Sequence, residues 1–148
     1  MPTEPQDASA SSSLAAVNAY FETYEGKDQA ALAGLLTDDV AYVTPFSASG
    51  DLKPFLDFQG KDAVMGHIKE VMGNFSQIAF VNQTFTVSQD FSAVFLEAQG
   101  NLVSAKKAGQ PYTNRYIFKF DIRHGLIRHI TEYANPVTFA KLNGVPLG

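Results

Sequence analysis

The chain has 148 residues, 45% hydrophobic and 18% charged, which is enough apolar material for one domain with a sizeable core. Cysteine is absent, excluding a disulfide framework, a thiolate zinc site and a cysteine nucleophile. With 11 basic and 15 acidic residues the net charge is −4, a poor match to nucleic acid.

No apolar run reaches the roughly 18 residues of a membrane span, and the first residues lack the basic and apolar regions of a signal peptide. A soluble cytoplasmic domain is the expectation. Residues 1 to about 12 are rich in Pro, Ala and Ser and read as a disordered tail, leaving 13–148 as the domain. A first helix is expected from Ser12 or Ser13, with Leu14, Val17, Phe21 and Tyr24 on one apolar stripe and Gly26 at its end. Asp28 can cap a second helix running from Gln29 to about Thr37. Val40 to Phe46 reads as a strand, and Ser47 to Gln59 as a long loop. That loop carries Phe55, Leu56 and Phe58, too apolar for solvent alone and suited to folding over a cavity. Gly60-Lys61-Asp62 opens a third helix, which buries Val64, Ile68 and Val71.

From Gln77 onward the helical period is lost, and β-rich runs follow at about 77–89, 92–105, 111–123 and 126–135. Asn135-Pro136 starts a short last helix, which Asn143-Gly144 closes. Helices first and strands later predict an α+β fold, an antiparallel sheet curled around helices. Along the third β-run, Tyr112, Asn114, Tyr116, Phe118 and Phe120 alternate with Thr113, Arg115, Ile117, Lys119 and Asp121. The aromatic face must point inward, and its two tyrosines and asparagine are easiest to satisfy beside a partly wet pocket.

Four titratable groups fall on expected inner faces. His67 shares the third helix's buried side, as a core histidine or as a general acid or base. Tyr20 borders the first helix's stripe, as a packing residue or as a phenol donor to a ligand oxygen. Glu97 lies mid-strand among apolar residues, either a second cavity carboxylate or a cross-strand salt-bridge partner. Glu132 depends on the hairpin at Gly125. A three-residue connection with a G1 bulge, the favoured form, pairs it with Tyr116 in the cavity. A two-residue turn sets it opposite Ile117 on the surface. In the cavity, desolvation would raise its pKa, as a proton-transferring carboxylate needs. The three histidines are too scattered for a metal site, and no nucleotide-binding or hydrolase motif is present.

Tyr20-Phe-Glu-Thr-Tyr-Glu-Gly-Lys-Asp28 and Leu36-Thr-Asp-Asp-Val-Ala-Tyr-Val-Thr-Pro45 resemble the N-terminal half of ketosteroid isomerases. Asp57-Phe-Gln-Gly60, Tyr112-x-Asn114-x-Tyr116 and Glu132-Tyr-Ala-Asn-Pro136 resemble SnoaL-like proteins of the nuclear-transport-factor-2-like superfamily. The resemblance implies a cone-like, strongly curved sheet closed by helices around a hydrophobic cavity, with dimerisation through the sheet's outer face. Tyr20 matches the isomerase tyrosine that donates to the developing enolate oxygen, whereas the general-base position holds Thr44. His67 and Glu132 are similar to the helix histidine and the pre-Asn-Pro carboxylate of the phenazine-biosynthesis A/B proteins.

Two readings follow. One is a cofactor-independent isomerase or cyclase for a small apolar carbonyl compound, with Glu132, His67 and Tyr20 catalytic. Thr44, Phe46, Glu97, Tyr112, Asn114, Tyr116 and Phe118 would contact the ligand. The other is a non-catalytic ligand binder of the same fold. No metal, nucleic-acid or membrane partner is expected, and a homodimer is.

Overall fold

The computed structural model describes residues 9–107 and 109–145. Helix α1 (Ala10–Glu25) starts earlier than expected because Ser9 caps it, its side chain accepting from the Ser12 N–H at 3.0 Å. Residues 9–12 therefore belong to the domain, and the tail expectation for 1–8 lies outside the described residues. Ser13 is instead buried and donates to the Phe91 carbonyl at 2.6 Å. The buried stripe is Ser13, Ala16, Val17, Tyr20, Phe21 and Tyr24, so Tyr20 sits at its centre, not its edge.

Helix α2 (Gln29–Ala33), capped by Asp28, is one short segment. It stops before Thr37 because Leu36 already pairs with Ile127 in the sheet. Strand β1 (Leu36–Thr44) turns Val40, Tyr42 and Thr44 to one side, all of them buried. The expected loop contains a strand, β2 (Leu56–Gln59), antiparallel to β1 from Thr44↔Leu56 to Ala41↔Gln59. Gly60, at φ 92°, then turns the chain into α3 (Lys61–Asn74), which buries Val64, Met65, Ile68 and Met72.

Strands β3 (Phe75–Val87), β4 (Ala93–Ser104), β5 (Pro111–Arg123) and β6 (Leu126–Ala134) form an antiparallel meander. The whole sheet has six strands in the order β2-β1-β6-β5-β4-β3, curved but not closed, with β1 and β6 parallel. Helix α4 (Pro136–Asn143) has Asn135 as its cap and Gly144 in the left-handed conformation at its end. Its Phe139 packs against Tyr112 and Phe55.

The β5–β6 hairpin differs from both anticipated registers. Its turn is the two-residue His124-Gly125, both residues at positive φ (53° and 77°), as a type I′ turn requires. Arg123 pairs with Leu126 and Ile122 with Ile127, but Asp121 pairs with His129, so Arg128 is an extra residue on β6. That bulge reverses the face of everything beyond it. Glu132 consequently pairs with Phe118, on the inner side of the sheet.

Candidate functional site

The inner face of the sheet and the three helices α1, α3 and α4 enclose a cavity of about 710 Å³, within the usual range for small-molecule sites. Its deep end is aromatic. Tyr20 meets Phe120 edge-on at 5.2 Å, and Phe21 meets Phe118 at 5.3 Å and Phe80 at 5.0 Å. Tyr116 stacks on Phe118 with centroids 5.2 Å apart. The end of α3, α4, the loop 47–49 and the β4–β5 turn with Lys106 and Lys107 complete the lining.

Glu132 projects from β6 into this space. Burial raises its pKa above the usual carboxylate value, and a hydrogen bond donated by the Tyr42 hydroxyl partly opposes that rise. Five of the six tyrosines, Tyr20, Tyr24, Tyr42, Tyr112 and Tyr116, line the same cavity. Each has its pKa raised, principally by burial and further by the Glu132 charge, except that Tyr112 is partly relieved by its hydrogen bonds to Asn114 and Tyr116. All five phenols therefore stay protonated near neutrality and act as donors. The Glu132 carboxyl in a cage of neutral phenols is the defining electrostatic feature, and the second carboxyl of the lining, Glu70 of α3, is exposed.

His67 comes from α3. Its ring stacks on Phe58 at 4.7 Å and meets Tyr42 edge-on at 4.9 Å, and burial lowers its pKa, favouring the neutral imidazole. Tyr42 thus touches both expected acid–base residues, through its hydroxyl and through its ring. Two polar atoms are buried without a hydrogen-bond partner among the described residues and belong to cavity-lining residues: the Tyr20 hydroxyl and Thr44 Oγ1.

The structure brings Glu132, His67, Tyr20, Thr44, Tyr112, Tyr116 and Phe118 to one cavity. Phe46 reaches only its rim, half of it exposed, and packs on Tyr133 at 5.3 Å. Glu97 corrects the expectation of a second cavity carboxylate. The inner residues of β4 are the even-numbered ones from Val94 to Ser104, so Glu97 lies opposite Ile117 on the exposed outer face. Asn114 also departs from its expected role, since it is buried behind the cavity wall and braces Tyr112 and Asn135. Tyr42, Tyr24 and Phe58 were not anticipated as site residues. Alternation of Val40, Tyr42 and Thr44 was the available signal for Tyr42, while Tyr24 was readable only as a member of a packing stripe.

Among the described residues, no three His, Asp or Glu side chains cluster so as to hold a metal ion, and no helix is long and apolar enough to cross a membrane. The model of the SnoaL-like domain family matches residues 17–130. Solved structures share the fold at low identity. A phenazine biosynthesis-related protein from Pseudomonas aeruginosa superposes with a TM-score of 0.79 at 18% identity, covering 94% of this chain and 89% of that one. An NTF2-like protein from Anabaena variabilis gives 0.70 at 20% identity, over 91% and 95%. A Catenulispora acidiphila protein with a ketosteroid isomerase-like fold, solved with trimethylamine, gives 0.70 at 18%, over 89% and 94%. Comparison with curated proteins finds no match.

Proposed function

The chain belongs to the SnoaL-like domain family, and we propose that it is a cofactor-independent isomerase or cyclase working by proton transfer on a small apolar carbonyl compound. The observation that carries this reading is Glu132, a carboxyl of raised pKa among five neutral phenols in an aromatic cavity.

Glu132 takes a proton from the carbon next to the ligand carbonyl. The C–H pair becomes the enolate C=C bond, and the carbonyl π pair moves onto oxygen. The Tyr20 hydroxyl, which has no hydrogen-bond partner among the described residues, donates to that oxygen. Negative charge passes from carboxylate to enolate, so the net charge of the cavity is the same before and after the step. The phenols are already oriented, and little reorganisation accompanies the transfer. Protonation at another carbon by Glu132 completes an isomerisation, and attack of the enolate carbon on a second carbonyl, whose oxygen then takes the proton from Glu132, completes a cyclisation. Tyr42 keeps part of the carboxyl ionised by donating to it, and neutral His67 is a second proton carrier behind Tyr42.

The test uses 2-tetralone in heavy water, with exchange of its α-protons followed by NMR. Glu132→Gln should slow protein-dependent exchange by about 10² to 10⁴-fold while tetralone affinity changes only a few-fold. Equal exchange rates in the two proteins would sink the assignment. A second reading, a non-catalytic module for a small apolar ligand, draws on Thr44, a hydroxyl where the resemblance places the isomerase base. Tetralone binding with no exchange above the buffer rate in the wild type would establish that reading instead.

A further inference from the structure

Exposed apolar side chains are not spread evenly over this molecule. Of the seven large ones among the described residues, Phe91 and Ile117 stand apart, and five gather at one end of the sheet: Phe46, Leu52, Phe55, Val137 and Val145. The topology puts them there. β1 and β6 run parallel, so the segment that follows β1 and the helix α4 that follows β6 leave the sheet at the same end. β5 runs against β6 and β4 against β5, which brings the β4–β5 turn to that end as well. The Ala105 N–H of that turn donates to the carbonyl of Asn74, the last residue of α3, at 2.9 Å. Phe55 packs on Phe139, joining the 46–55 segment to α4. The cavity reaches solvent here, because the exposed residues of its lining, Lys106, Lys107 and Val145 among them, all belong to these segments.

Charge gathers at the same end. Lys53, Lys106, Lys107 and Lys141 are exposed on these segments, against two carboxylates, Asp51 and Glu70. The end is therefore positive on a chain whose net charge is −4. Cation and apolar group alternate closely: wholly exposed Leu52 is followed by Lys53, and Val137 and Lys141 lie one turn apart on the outward side of α4. Lysine is depleted from protein–protein interfaces. Apolar side chains flanked by lysines instead suit the headgroup boundary of an anionic bilayer, where the hydrocarbon enters and the ammonium groups meet phosphate.

We infer that this end of the molecule docks on anionic lipid bilayers, so that the cavity opens onto the membrane and exchanges its apolar ligand with it. The lack of an apolar span led to the expectation of no membrane partner. A peripheral contact needs no span, and among the described residues no helix could supply one. At low salt each lysine brought to an anionic surface strengthens partitioning by about fivefold, so four suffice to hold a shallow apolar contact in place. The docking does not depend on proton transfer and serves a catalyst and a binding module alike.

The experiment is sedimentation with vesicles of phosphatidylcholine, alone or with about 30% phosphatidylglycerol. The anionic vesicles should bind at least about tenfold more tightly, and the difference should shrink as salt is raised. Leu52→Asp/Lys53→Glu should weaken that binding by about tenfold or more, with affinity for dissolved 2-tetralone within about twofold, since neither residue lines the cavity. Val137→Asp/Lys141→Glu on α4 should weaken it too, and stands in if the loop variant does not fold. Phe91→Asp, at the opposite end of the sheet in the β3–β4 turn, should bind as the wild type does. No binding, equal binding to the two vesicles, or an equal loss in Phe91→Asp would overturn the docking. Self-association of the free protein that Leu52→Asp/Lys53→Glu abolishes would overturn it as well, by giving the face to a second copy of the chain.

Discussion

Glu132 and Glu97 occupy matching sequence settings and opposite physical ones. Each is a mid-strand carboxylate with apolar residues on both sides, in Ile130-Thr-Glu-Tyr-Ala and in Val94-Phe-Leu-Glu-Ala-Gln. Glu132 points among tyrosines, while Glu97 points to solvent beside Ile117, Gln99 and Arg115. Two strands of the same sheet and one unit of parity separate a desolvated acid from a surface charge. Strand phase, not local composition, decides whether a carboxyl acquires chemical potential, because successive side chains alternate between faces.

The widest contrast to look for is in rate. Glu132→Gln should remove α-proton exchange by at least about 100-fold, whereas Glu97→Gln should leave it within about twofold. Exchange lost in both variants would erase the distinction between the two faces. A stability comparison sharpens it next. A Cβ built on Gly100, inward on β4, would stand 2.5 Å from a ring carbon of Tyr116. Gly100→Ala should therefore cost about 1–3 kcal/mol in chemical denaturation, and Asn101→Ala, one residue along and facing outward, less than about 0.5 kcal/mol.

Smaller effects concern the titration of Glu132. Tyr42→Phe deletes the hydrogen bond that holds its pKa down, so the rising limb of the exchange–pH profile should move to higher pH. A limb that stays in place would show that Tyr42 does not tune the carboxyl. Because the folded pKa of Glu132 is raised, its stabilising contribution is present below the ordinary carboxylate value of 4.5 and is lost as pH climbs through the raised value. Melting curves should accordingly show Glu132→Gln gaining on the wild type as pH climbs from the ordinary value of 4.5 through the raised one.

Much of this arrangement was readable from residues in order. The β5 alternation placed Tyr112, Tyr116, Phe118 and Phe120 inward without any tertiary information, because one face of a sheet against helices must be apolar. Asn135-Pro136 and Gly144 fixed α4 through capping chemistry. What escaped was set by distant pairing. β2 is a strand because β1 offers it an edge, and four residues carry too little pattern to announce that. The extra residue at Arg128 has no turn signal, yet it determines which way Glu132 faces. Glu97 needed the β4 phase, which Ala93 and Val94, both buried, blur at the strand's start. The alternation of Val40, Tyr42 and Thr44 turns Tyr42 inward, but nothing in Val-Ala-Tyr-Val-Thr marks its hydrogen-bond partner 90 residues away.

The one-sided placement of the carboxyl carries a stereochemical consequence. Glu132 enters the cavity from a single wall, so a flat enolate pinned by its oxygen at Tyr20 would show it the same molecular face when losing a proton and when regaining one. Label removed from a prochiral centre would return to the side it left, and the product would inherit its handedness from the tilt of one β-strand.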